Sequence, residues 1–200
     1  MAGVRTMSET LRRSAEEGVE LSLLVLSVSR LGLAAVDLAS GAVVRTGAER
    51  LEGLDLRPYD VVSVALAADT EPLDPTQPEA VVLAGPPSTV RRLTPRRADR
   101  WLRPLLHPER AHLLGFAGPS IPFWELDGSR PSLALIATRA AIGVGEDGHL
   151  RCHFPWRTLV HDLPVAVARG VSLPRAAERV VVALTPPVEG HCYKVVTGLL

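Results

Sequence analysis

Residues 190–200 read GHCYKVVTGLL and set a histidine, a cysteine, a tyrosine and the only lysine of this 200-residue chain side by side, His191 to Lys194. Imidazole and thiolate are zinc ligands. An aromatic ring can stack a nucleobase, and an ammonium can meet a phosphate. In a strand, neighbouring side chains point to opposite faces, so His191 and Tyr193 share one face and Cys192 and Lys194 the other. Two readings follow. In one, this is the polar end of a buried strand, with Cys192 a small hydrophobe and Tyr193 half-buried. In the other, Tyr193 and Lys194 line the mouth of a barrel and contact nucleic acid.

The metal reading has support from two mirrored pairs, Cys152-His153 and His191-Cys192, with His149 and His161 nearby. Adjacent strand residues diverge, so only alternating sets such as His149 with His153, or Cys152 with Cys192, could converge on one ion. The spacing is wrong for a zinc knuckle, and no Cys-x-x-Cys redox motif occurs. The expectation is two free thiols, no metal and no cofactor. No G-x-S-x-G, H-E-x-x-H or Gly-Lys-Ser/Thr phosphate loop is present, so no catalytic residue is assigned and the chain is not expected to be an enzyme.

The second chemical cluster is basic. Arg91, Arg92, Arg96, Arg97, Arg100 and Arg103 stand against the single acid Asp99, with Trp101 among them. On a helix, Arg96, Arg100 and Arg103 fall on one face, and Arg97 and Trp101 on another. Arginines beside an aromatic fit a patch that tracks phosphates. The competing reading is a solvated helix face. Lys194 is the only lysine among 22 basic side chains, a bias towards arginine that weakens any single cluster as a signal.

These residues need elements to hold them. Composition is ordinary for a globular chain, at 46% hydrophobic and 22% charged. Two cysteines are too few for a secreted disulfide framework and favour a reducing, cytoplasmic setting. The run LSLLVLSV is too short to span a bilayer. Net charge is zero overall, but residues 1–85 carry −6, residues 86–130 carry +4 and residues 131–200 carry +2. A neutral total speaks against a dedicated high-affinity DNA binder, and the local excess remains to be explained.

Residues 1–20 are polar and read as a flexible leader. Residues 21–93 hold about five short strands, with a turn at Ala39-Ser40-Gly41. Residues 94–128 form a helical and loop connector, in which Thr94 is a fitting N-cap, Pro95 opens the helix and Pro104 ends or kinks it. Residues 129–200 hold a second group of about five strands, broken at Glu146-Asp147-Gly148. The fold class expected is mostly β, with two tandem OB-like Greek-key barrels and one short connecting helix. A single larger sandwich is the alternative.

The order of these signals resembles the dual OB-containing domain family. Ser29-Arg30 before a hairpin ending in Arg45 resembles its opening strands. Gln77-Pro78-Glu79 resembles a strand start, and Leu150-Arg151 with Phe154 the hairpin of the second barrel. Cys192-Tyr193-Lys194 resembles the closing segment. Where that family would have a Thr-Asp pair, this chain has Ala166-Val167, which puts any ligand contact of that pair in doubt here. The resemblance implies nucleic-acid or nucleotide association and defence-type gene neighbourhoods.

The expected function is therefore a non-catalytic module for single-stranded nucleic acid or a nucleotide. Its candidate contacts are Arg30, Arg45, Arg91, Arg92, Arg96, Arg97, Arg100, Trp101, Arg151, Tyr193 and Lys194, with Gln77, Glu79 and Cys192 as family-motif positions. The alternative is an adaptor in which the same elements dock a partner protein. No membrane partner is expected.

Overall fold

The apolar run of β1 (Glu20–Ser29) does not alternate with polar residues because both of its faces are covered. Leu21, Leu23 and Val25 point into the core of one sheet, and Leu24 and Leu26 into a second core shared with the other sheet. The computed structural model describes residues 20–67, 74–166 and 173–200. Nearly all of the expected leader, and Val167 of the expected ligand pair, lie outside these residues.

The chain is mostly β, in two sheets. The first is ordered β3-β2-β1-β4-β5, with β2 Gly32–Asp37, β3 Val43–Thr46, β4 Asp60–Ala65 and β5 Ser88–Arg92. The β1–β2 turn requires glycine: Gly32 has φ +112, and a Cβ there would stand 1.8 Å from the carbonyl oxygen of Thr46. Residues 79–85 contribute bridges only: Arg45 pairs parallel with Ala80, and Leu66 antiparallel with Leu83. Those bridges bring the open end of β3 round towards β4.

The second sheet is ordered β6-β11-β10-β7-β8-β9. Its strands are β6 Ser120–Pro122, β7 Leu133–Val144, β8 Leu150–Trp156, β9 Leu159–Pro164, β10 Ala176–Leu184 and β11 His191–Leu199. A parallel bridge, Val165 to Val196, joins the end of β9 to β11 and curls the sheet. Inside it lie Ile136, Cys152, Phe154, Val180, Val182, Cys192 and Val196. The short edge strand β6 was not foreseen: it comes from the Pro/Gly-rich connector and adds to β11.

Helix α1 (Pro95–Leu102) begins as expected, with the Thr94 hydroxyl accepting from the Arg97 amide at 3.3 Å and Pro95 in the first turn. It buries Ala98 and Leu102 in the shared core with Leu133, Leu135 and Val181 of the second sheet. The sheets meet most closely where β1 crosses β11. The Ser27 hydroxyl donates to the Thr197 hydroxyl at 3.1 Å, and a Cβ on Gly198 would lie 2.4 Å from the Cβ of Ser27. No described helix is long and apolar enough to cross a membrane.

Candidate nucleic-acid interface

β5 is the free edge of the first sheet and all five of its residues are exposed. It runs straight into α1, whose one buried face turns its arginines outwards. Arg91, Arg96, Arg97 and Arg100 are all exposed along this strand-to-helix ridge. None has a carboxylate within 4 Å among the described residues. Arg92 and Arg103 differ. Arg92 holds Asp60 through Nε at 2.8 Å, and Arg103 holds Asp99 at 2.8 Å. Asp99, the lone acid of the cluster, also receives Arg179. Hydrogen bonds from Arg179 and then Arg103 hold its carboxyl below the ordinary carboxylate range. The nearest acid is therefore already engaged. Trp101 is half-buried: its indole N–H donates to Leu38 O at 3.3 Å, and the Arg100 guanidinium lies 3.6 Å over its ring.

The other sequence candidates do not join this ridge. Arg30 is exposed in the β1–β2 turn. Arg151 is half-buried on β8 and gripped by Asp162, with Nε 2.8 Å from both carboxylate oxygens. Arg45 is 3% exposed, and its Nη1 donates to Leu184 O at 2.8 Å and to Ser132 Oγ at 3.4 Å. Lys194 is 1% exposed; its Nζ donates to Phe116 O at 2.6 Å and sits 3.8 Å over the Phe116 ring. Burial pushes that ammonium down to about 8. The donors of Arg45 and Lys194 are thus turned inwards rather than onto a barrel mouth. Tyr193 is 38% exposed on the opposite face of β11.

Of the family-motif positions, Glu79 accepts from the Ser132 amide at 2.9 Å and its hydroxyl at 2.7 Å. Gln77 closes a turn, its amide donating to Asp74 O and its carbonyl accepting from Ala80. Cys192 is fully buried, as is Cys152. Desolvation pushes the Cys152 thiol up to about 11 and the Cys192 thiol upwards too, so both are neutral thiols at pH 7. Among the described residues, no group of three His, Cys, Asp or Glu side chains converges as a metal site.

A second surface was missed. β6 pairs with β11 through His191–Pro122 and Tyr193–Ser120, which delivers the next two residues, Phe123 and Trp124, beside His191. Trp124 is 66% exposed and lies edge-on to Phe123 at 5.3 Å and to His191 at 6.1 Å. The signal was present in the sequence: two adjacent aromatics in IPFWELDG, in a chain holding only eight Phe, Trp and Tyr residues.

The chain matches no known protein family, no curated protein and no solved structure.

Proposed function

We propose that the protein is a non-catalytic binding module that engages single-stranded nucleic acid through the ridge of Arg91, Arg96, Arg97 and Arg100. One observation carries this: four exposed guanidiniums fall within ten residues, none with a carboxylate within 4 Å among the described residues, while the neighbouring acids Asp60 and Asp99 are spoken for by Arg92, Arg103 and Arg179. Such a ridge favours a polyanion.

The strand pairing supports an OB-like reading of both sheets. In the first sheet the long β1 is flanked by β2 and β4, and in the second the long β7 is flanked by β8 and β10; a parallel bridge meets β3 at Arg45–Ala80 and the end of β9 at Val165–Val196. That order supports the resemblance to the dual OB-containing domain family.

The exposed aromatics favour a second reading, docking of a partner protein through Phe123, Trp124 and Tyr193. A fluorescence titration separates the two. Wild type binds a labelled single-stranded oligonucleotide at low salt, and R96A/R97A/R100A binds it more weakly. Absence of binding by wild type at low salt would remove the nucleic-acid reading.

A further inference from the structure

At the tip of the β8–β9 hairpin a cavity of about 100 Å³ opens between the hairpin and residues 112–117. Its lining includes His112, Trp156, Arg157, Thr158 and His161, and no lining residue is a carboxylate. The only partner of the Arg157 guanidinium among the described residues is another base: Nη1 lies 2.8 Å from the ring nitrogens of His112. An imidazole can accept such a bond on one nitrogen but brings no negative charge, so it leaves the arginine charge uncompensated. A second cation stands behind the wall. Lys194 donates to Phe116 O, next to the lining residue Ala117, and its charge reaches His161, whose pKa is lowered first by burial and then by Lys194.

Both walls are held in a conformation that ordinary residues avoid. Arg157 has φ 56, and Leu114, beside the lining Leu113, also has φ 56. Non-glycine residues in this region cost of order 1–3 kcal/mol each and persist where the surroundings enforce them, often at ligand clamps. Trp156 anchors the hairpin wall: its indole N–H donates to Ala111 O at 3.1 Å.

We propose that this cavity binds a compact oxyanion of the phosphate class, with Arg157 as its charged clamp and Thr158, His112 and His161 as further hydrogen-bond partners. The cavity has room for one phosphate group. A cationic fork, a hydroxyl and two imidazoles offer more partners than the two oxygens of a carboxylate would use. The phosphate group is either inorganic or the terminal group of a nucleotide whose remainder lies outside.

The test is calorimetric titration of the full chain with sodium phosphate in a sodium chloride background, with thermal unfolding followed in parallel. Wild type binds one phosphate and is stabilised by it. Arg157→Gly binds about tenfold or more weakly, while its melting temperature without phosphate is unchanged or higher, because glycine suits φ 56. R96A/R97A/R100A keeps wild-type phosphate affinity, which separates this site from the ridge. Adenosine 5′-monophosphate that competes with phosphate supports the site with a nucleotide as source, and exclusion of the nucleotide supports it with the free ion. Equal phosphate binding by wild type and Arg157→Gly, no binding by wild type, or loss of phosphate binding in the ridge variant would overturn the proposal.

Discussion

Arg45, in the third strand of the first sheet, donates through Nη1 to the carbonyl oxygen of Leu184, 139 residues away at the end of β10. The same guanidinium reaches Ser132 Oγ, and Ser132 in turn gives both its amide and its hydroxyl to Glu79. A buried charge is thus used to tie the two sheets together, and burial lowers the Arg45 pKa without removing its charge.

Arg45→Met is expected to destabilise the protein by about 3 kcal/mol, since it strands the Leu184 carbonyl and leaves Glu79 without its nearby cation. Adding Glu79→Gln is expected to recover part of the loss. Urea unfolding of the two variants checks both. Unchanged stability in Arg45→Met would show that the link carries no weight.

Gly198→Ala places a methyl group 2.4 Å from the Cβ of Ser27, at the closest approach of the sheets. The strands must separate there, at a cost of about 1–3 kcal/mol. Ser27→Ala, which keeps its Cβ, is not expected to relieve it; Ser27→Gly is. Thermal unfolding of the double variants reads the difference.

Lys194 imposes a pH dependence. Burial lowers its pKa from 10.5 to about 8. Between those values the unfolded chain holds a proton that the folded chain does not. The penalty is therefore fully present below pH 8 and is relieved as pH rises towards 10.5. Relative to Lys194→Met, wild type is expected to gain up to about 3 kcal/mol across this window. Unfolding free energies of both proteins at pH 7 and pH 10 test this; a constant difference would place the ammonium in contact with water.

Cys152 and Cys192 have no exposed surface and thiols raised by burial. A thiol reagent is expected to titrate neither in the folded protein and both in urea. Rapid native labelling of either would contradict their placement in the core.

Local pattern made much of this fold legible. The Thr94-Pro95 start, the Glu146-Asp147-Gly148 turn and the β-rich runs are decided by residues close in sequence. Burial of Arg45 and Lys194 was not legible, because strand alternation gives the face of a side chain but not what covers it. For Arg45 the cover is the second sheet, and for Lys194 it is Phe116, 78 residues earlier. β6 escaped for a different reason: three residues in a Pro/Gly-rich connector pair only because β11 offers an edge. In the ridge, sequence placed the arginines together, but only the structure separates Arg92 and Arg103, which hold carboxylates, from Arg96, Arg97 and Arg100.

The salt dependence of single-stranded oligonucleotide binding tests the central claim most directly. Each phosphate contact to a single strand contributes a slope of about 0.7 in log K against log salt. With wild type and R96A/R97A/R100A titrated at several chloride concentrations, the account predicts binding whose slope falls by roughly 2 in the variant, for three lost contacts. A variant that keeps the full wild-type slope would contradict it.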